Sequence, residues 1–330
     1  MIDDAPSWWA ALVHWQFSPL DLVLVLATAG YLLLARRLGG GDGPRWPRPR
    51  TTAMLLAVAA LVVALDGPVA AFADVLFWVH MVQHLLLIMV VPVLLVWAQP
   101  WRLVHAAGGM RARSAVDRVL GSRAARWVAG PPSGLGLYAA VVILTHLTGF
   151  QQVSATHPAV RAAELALYLV SGYLLFLPLA GGELCPWSPP HLVRFALLAL
   201  SMGVDTLTGV VLMLTPRPLA PVYAAAHPGW GPGALADQEI AGALMWFGGD
   251  LLMLLLMVAV AVRWGTARDQ EQGLGRWIEG VRRRALLGAD ADPNDVVDGD
   301  VDADVRALQA YNAALAALHA RTPGDEGHRP

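Results

Sequence analysis

Seven apolar runs alternate with loops that are by turns rich and poor in arginine, a pattern that commits the chain to crossing a bilayer repeatedly. The runs are Leu20–Leu38, Thr52–Val69, Val75–Trp97, Gly134–Phe150, Ala162–Ala180, Leu192–Leu214 and Ile240–Val262. A spanning helix needs about 20 predominantly apolar residues. Charged residues make up 15% of the chain, against about 25% in ordinary soluble domains. The expected fold is therefore all-α, a seven-transmembrane-helix bundle.

The loops set its orientation. Arg36, Arg37, Arg45, Arg48 and Arg50 lie between the first two runs. Arg102, Arg111, Arg113, Arg118, Arg123 and Arg126 lie between the third and fourth, and Arg263, Arg268, Arg276 and Arg282 to Arg284 follow the seventh. The alternate loops hold at most one Arg each. Basic loops stay in the cytoplasm, so the N-terminus is expected outside and the C-terminus inside. Met1 to Asp4 lack the basic region of a cleavable signal, and the first span is expected to direct insertion itself. Trp78, Trp97, Trp101, Trp187 and Trp264 fall near the expected interfaces.

Three regions follow. Residues 1–19 form an extracytoplasmic segment, 20–262 the membrane domain and 263–330 a cytoplasmic tail. Asp290 to Asp304 resemble a calcium loop only in part, because Asp295 replaces the turn Gly and Val301 the closing Glu. This stretch reads as a solvated acidic linker. Val305, Leu308, Asn312, Leu315 and Leu318 then mark a short amphipathic helix.

Within the third run, His80-Met81-Val82-Gln83-His84 puts two imidazoles on one helix face. Imidazoles at membrane depth are costly and face a protein interior where they bind or relay something. With a rise of 1.5 Å per residue, His80 lies about 8 Å and His84 about 14 Å below the outer boundary. His146 lies about 6 Å and Asp205 about 14 Å below the same surface. Met202 and Asp205 share a helical stripe with Thr206, Gly209 and Met213. His157 and His227 sit in outer loops, and Asp237 and Glu239 open the last span. The candidate metal ligands are thus His80, His84, His146, Asp205, Asp237, Glu239, Met202, His157 and His227, nearly all in the outer half. His105 and His191 fall on the cytoplasmic side.

Imidazole with thioether suits copper, whereas imidazole with carboxylate suits zinc, iron or copper. Gln83, between the two histidines, is not the Glu of the zinc-protease motif, which argues against a His-Glu-x-x-His hydrolase. Two His on one helix cannot supply both axial ligands of a haem, although His from different helices could. The single cysteine, Cys185, excludes an intramolecular disulfide and any multi-cysteine zinc site. No phosphate-binding Gly loop, nucleophile elbow or basic aromatic patch is present, which argues against nucleotide, acyl-transfer and nucleic-acid functions.

Phe77-Trp78-Val79-His80-Met81-Val82-Gln83-His84-Leu85-Leu86, Val91-Pro92-Val93-Leu94-Leu95 and Asp237-Gln238-Glu239-Ile240-Ala241-Gly242-Ala243-Leu244-Met245-Trp246 carry a family resemblance. Thr145-His146 and Gly172 through Pro178 fit it too. The chain resembles the CtaG-type, caa3-associated cytochrome c oxidase assembly proteins, a polytopic membrane family of Gram-positive bacteria. The resemblance implies a non-enzymatic factor of respiratory-chain biogenesis that delivers or retains copper for a haem-copper oxidase. Members often occur joined or adjacent to copper-import modules. It implies oxidase subunits or other assembly factors as partners, within the lipid bilayer. His80, His84, His146, Asp237 and Gln238 match the family positions. Ala241 stands where a second Gly is common. Helix five carries Glu164 with no His beside it, where many members have one, so this chain must bind with fewer groups or use Glu164. Two alternatives stay open: a copper transport or resistance protein, and a seven-helix zinc-dependent membrane hydrolase. The hydrolase needs Ser154 or Ser201 near the metal.

Overall fold

The computed structural model describes residues 15, 18–39, 45–227, 229–266, 309, 312 and 313. All regular structure among them is helical. The residues fall into two compact units, 1–261 and 262–330. The helices that build the site belong to the first, and the expected acidic linker lies outside the described residues. Beyond Thr266 only Gln309, Asn312 and Ala313 are described, and all three are helical.

Proline punctuates the chain. It occupies the first turn of α2 (Arg48–Leu65), α3 (Pro68–Ala73), α6 (Pro100–Ala107), α9 (Pro131–His146) and α11 (Pro158–Ala180). At that position its missing N–H has no intrahelical partner to lose. The remaining elements are α1 (Pro19–Gly39), α4 (Phe77–Leu85), α5 (Val91–Ala98), α7 (Gly109–Gly121), α8 (Arg123–Val128), α10 (Phe150–Thr156), α12 (His191–Leu214), α13 (Val222–Ala226) and α14 (Ala234–Thr266).

Five stretches are long and apolar enough to cross a membrane, namely Arg48–Ala73, Phe77–Ala107, Pro158–Ala180, His191–Leu214 and Ala234–Val262. A sixth is the pair α9 and α10, bent by 77° at Leu147–Gly149. Here the expected straight helix over 134–150 does not form. Thr148 donates its hydroxyl to the Leu144 carbonyl at 2.7 Å and accepts from Phe150 N–H at 3.2 Å. Such a side chain offers the backbone an alternative to continuing the helix.

The stretch Phe77–Ala107 is the hub. Its most apolar part is 67% buried, against 33% for those of His191–Leu214 and Ala234–Val262, and its neighbours include α2, α9 and α11. The outer helices turn Leu200, Leu207, Phe247, Leu251 and Leu254 outward, as a lipid-facing surface requires. A π-helical turn, Leu86–Val90, lies between α4 and α5. Pro92 has no N–H for the carbonyl four residues before it, that of Ile88. That carbonyl points at Gly172 on α11, where any Cβ would overlap it. Pro178 leaves the Leu174 carbonyl in the same condition, and a Cβ on Gly134 of α9 would stand 2.9 Å from that oxygen. Gly209 and Gly242 bring α12 and α14 into equally close contact.

Both ends of the hub are pinned by carboxylates from distant parts of the chain. At the start of α4, Asp237 of α14 accepts from Phe77 N–H and Trp78 N–H, each at 2.9 Å. At the start of α6, Glu183 accepts from Trp101 N–H and Arg102 N–H, each at 2.9 Å. Free N–H groups at a helix start favour such anions. Burial nevertheless pushes the Glu183 carboxyl above its ordinary range, outweighing these bonds.

Candidate metal centre

His80 and His84 leave α4 one turn apart, and their ring centroids are 3.9 Å from each other. Both are buried. Opposite them α11 supplies Glu164, also buried. Its Oε1 lies 3.7 Å from His80 Nε2 and 3.4 Å from His84 Nε2. Among the described residues these three form a group whose ligand atoms all lie within 4.8 Å of one another.

The bend after α9 completes the surroundings of Glu164. It carries Gln151 and Ser154 of α10 inward, where Gln151 Nε2 donates to Glu164 at 2.8 Å and Ser154 Oγ at 2.5 Å. Tyr168 Oη, one turn along α11, donates to Thr145 Oγ1 at 2.5 Å and lies 3.3 Å from Glu164. The carboxylate is therefore held in one orientation.

His146 stands behind His84 rather than beside Glu164. Its Nδ1 is 2.8 Å from the Val142 carbonyl, an acceptor only, so that nitrogen carries the proton. Its Nε2 then presents a lone pair to His84 Nδ1 at 3.2 Å, and His84 Nδ1–H donates. This chain assigns the tautomer of His84 and leaves its Nε2 as a bare lone pair facing Glu164. That nitrogen is buried and makes no hydrogen bond.

The other expected ligands are placed elsewhere. Asp205 accepts from Tyr138 Oη at 2.7 and 2.8 Å. It borders a cavity of about 20 Å³ together with His84, His146, Met81, Met89 and Met245. Asp237 spends both oxygens on the start of α4. Gln238 holds the α12–α13 loop, donating to Leu212 and Thr215 carbonyls at 3.1 and 3.2 Å. Glu239 is exposed and Met202 is half-buried against the main core. His157 is exposed at the start of α11, its Nδ1 3.1 Å from the Val153 carbonyl. His227 Nδ1 donates to the Trp230 carbonyl at 2.6 Å.

Sequence reasoning missed Arg161. Its Nη1 lies against both ring nitrogens of His80, 3.0 Å from Nε2, and 3.5 Å from Glu164 Oε2. Its Nη2 donates to Gln83 Oε1 at 2.7 Å and reaches Asp74 at 3.3 Å. Gln83 in turn donates to the Ala64 carbonyl at 2.6 Å. The signal available was Arg161 three residues before Glu164 at the mouth of a span, where unlike charges at that spacing are neighbours.

A small cation fits this group. Metal–nitrogen and metal–oxygen bonds of about 2.0–2.2 Å place tetrahedral ligands roughly 3.3 Å apart, close to the 3.4 and 3.7 Å that separate Glu164 from the two histidines. Two imidazoles and a carboxylate suit copper, zinc and iron(II).

A family model described as cytochrome c oxidase caa3 assembly factor matches residues 29–267. The uncharacterized proteins Mb0105 of Mycobacterium bovis and MT0111 of Mycobacterium tuberculosis are each 28% identical over 320 residues, covering 93% of this chain and 45% of theirs. The uncharacterized protein ML1998 of Mycobacterium leprae is 26% identical over 262 residues, covering 76% of this chain and 39% of its own. The chain thus spans less than half the length of these relatives. No solved structure matches it.

Proposed function

The chain belongs to the cytochrome c oxidase caa3 assembly-factor family, and on that premise we propose that this multi-pass membrane protein carries a copper ion on His80, His84 and Glu164 for delivery to the oxidase. The receiving partner is an oxidase subunit or another assembly factor. The observation that carries this reading is the buried, unbonded Nε2 of His84, aimed at a carboxylate and a second imidazole. Imidazole accepts either oxidation state of copper, which suits exchange with a partner.

In this reading His146 serves behind the ligands by fixing the tautomer of His84, as outer partners of metal-bound histidines do. Asp205, Met202, His157, His227 and Glu239 take no part as ligands, and Asp237 acts by holding the start of α4. The helix α1 is the first of seven spans; its 21 residues extend about 31 Å. The arginine distribution then leaves the N-terminus outside and residues 263–330 in the cytoplasm.

Metal analysis of the protein purified in detergent tests the assignment. Wild type is expected to hold one copper per chain, and both His80→Ala/His84→Ala and Glu164→Gln to lose it. Equal copper in all three overturns the assignment. A zinc-dependent hydrolase is the second reading, favoured by the Ser154 hydroxyl at 2.5 Å from Glu164. Stoichiometric zinc together with cleavage of a lipid amide would establish it instead.

A further inference from the structure

Glu164 is buried among apolar helices, and a buried anion needs a cation or strong donors at all times. Arg161 supplies the cation. Its guanidinium touches His80 and Glu164, two of the three groups in the candidate metal centre. An ion on those ligands and the guanidinium in its present position would exclude each other, both sterically and by like charge.

The same side chain has somewhere else to go. Arg161 lines a cavity of about 330 Å³ with Asp74, Ser154, Thr156 and Pro158. The Asp74 carboxylate there is already within 3.3 Å of Nη2, and its side chain is 73% exposed against 13% for Arg161. Rotation about the side-chain torsions of Arg161, with no movement of helices, takes the guanidinium from Glu164 toward Asp74 and the open side of the cavity.

We propose that Arg161 is a built-in substitute for the metal, occupying His80 and Glu164 when no ion is bound and retreating to Asp74 when one is. This rests on the copper reading above and adds a function to it. The guanidinium competes with the ion at every exchange, so the site holds copper loosely enough to surrender it. Returning as the ion departs, Arg161 spares Glu164 an unpaired charge. It is a positioning residue and never a ligand.

The test is copper(I) binding to the detergent-solubilised full chain, measured by competition with a chromophoric chelator under reducing conditions. Arg161→Gln is expected to bind about tenfold more tightly or better, in line with the loss of charge-assisted hydrogen bonds, and to release copper to the chelator more slowly. Asp74→Asn lies at the surface, and its removal of the outward seat is expected to weaken binding several-fold. Should Arg161→Gln fail to fold, the Asp74→Asn comparison decides alone. If His80→Ala/His84→Ala abolishes binding while Arg161→Gln and Asp74→Asn both match wild type, the substitution mechanism is wrong and the metal site stands. If wild type binds no copper, the site assignment itself falls, and the role of Arg161 with it.

Discussion

At the scale of single residues, His84 divides its two ring nitrogens between His146 and the space beside Glu164. Whatever fixes one determines the other. Replacing His146 by Gln keeps an acceptor for His84 Nδ1–H, whereas Ala removes it. The expected outcome is about 10–100-fold weaker copper binding in His146→Ala, with affinity largely retained in His146→Gln. Equal losses in the two variants would mean that His146 binds the ion directly. The histidines were legible in the sequence because helical periodicity places His80 and His84 on one face whatever the tertiary structure. Arg161 and Glu164 were less so. They are the fourth and seventh residues of α11, where charged side chains ordinarily reach for the membrane surface. What makes them internal is α10, and its inward fold depends on a hydroxyl bond at Thr148 that hydrophobicity does not encode.

Among the helices, the close crossings are made by main chain against main chain. Gly172→Ala would drive a methyl group into the Ile88 carbonyl, and neither backbone can yield cheaply. A loss of about 3 kcal/mol is expected, at the upper end for overpacking. Gly134→Ala faces a 2.9 Å approach to the Leu174 carbonyl and should cost less. Gly136, on the same helix as Gly134, has open space around it, so Gly136→Ala is expected to be neutral or to stabilise by up to about 1 kcal/mol. Thermal unfolding in one detergent ranks the three, and a Gly172→Ala variant as stable as Gly136→Ala would refute the crossing. Five of the expected spans were readable from apolar length. The π turn and the break at Gln99, which takes φ 56°, were not, because both answer to a neighbouring helix. The last helix begins at Ala234, earlier than its apolar run, because Asp237 and Gln238 serve as internal anchors.

For the whole molecule, the arrangement of charge makes a prediction about sidedness. Cys185, the single cysteine, lies in the loop after α11 on the expected cytoplasmic side. A membrane-impermeant maleimide should leave it unmodified in intact cells and label it once the membrane is opened. Labelling from outside would invert the topology and move the metal centre to the cytoplasmic half. Loop composition led to the expectation of an outer-half cluster, yet among the described residues only His80 and His84 of that cluster share a ligand geometry, and their third member is Glu164. The glycine contacts bear on how such a centre persists. His84, Glu164 and His146 ride on three helices whose spacing is measured by peptide groups, since carbonyls freed by Pro92 and Pro178 rest on Gly172 and Gly134. Side-chain repacking on the lipid face therefore has little leverage on the ligand separations. The backbone works as a gauge block, and the outside of the bundle is left free to suit whichever membrane surrounds it.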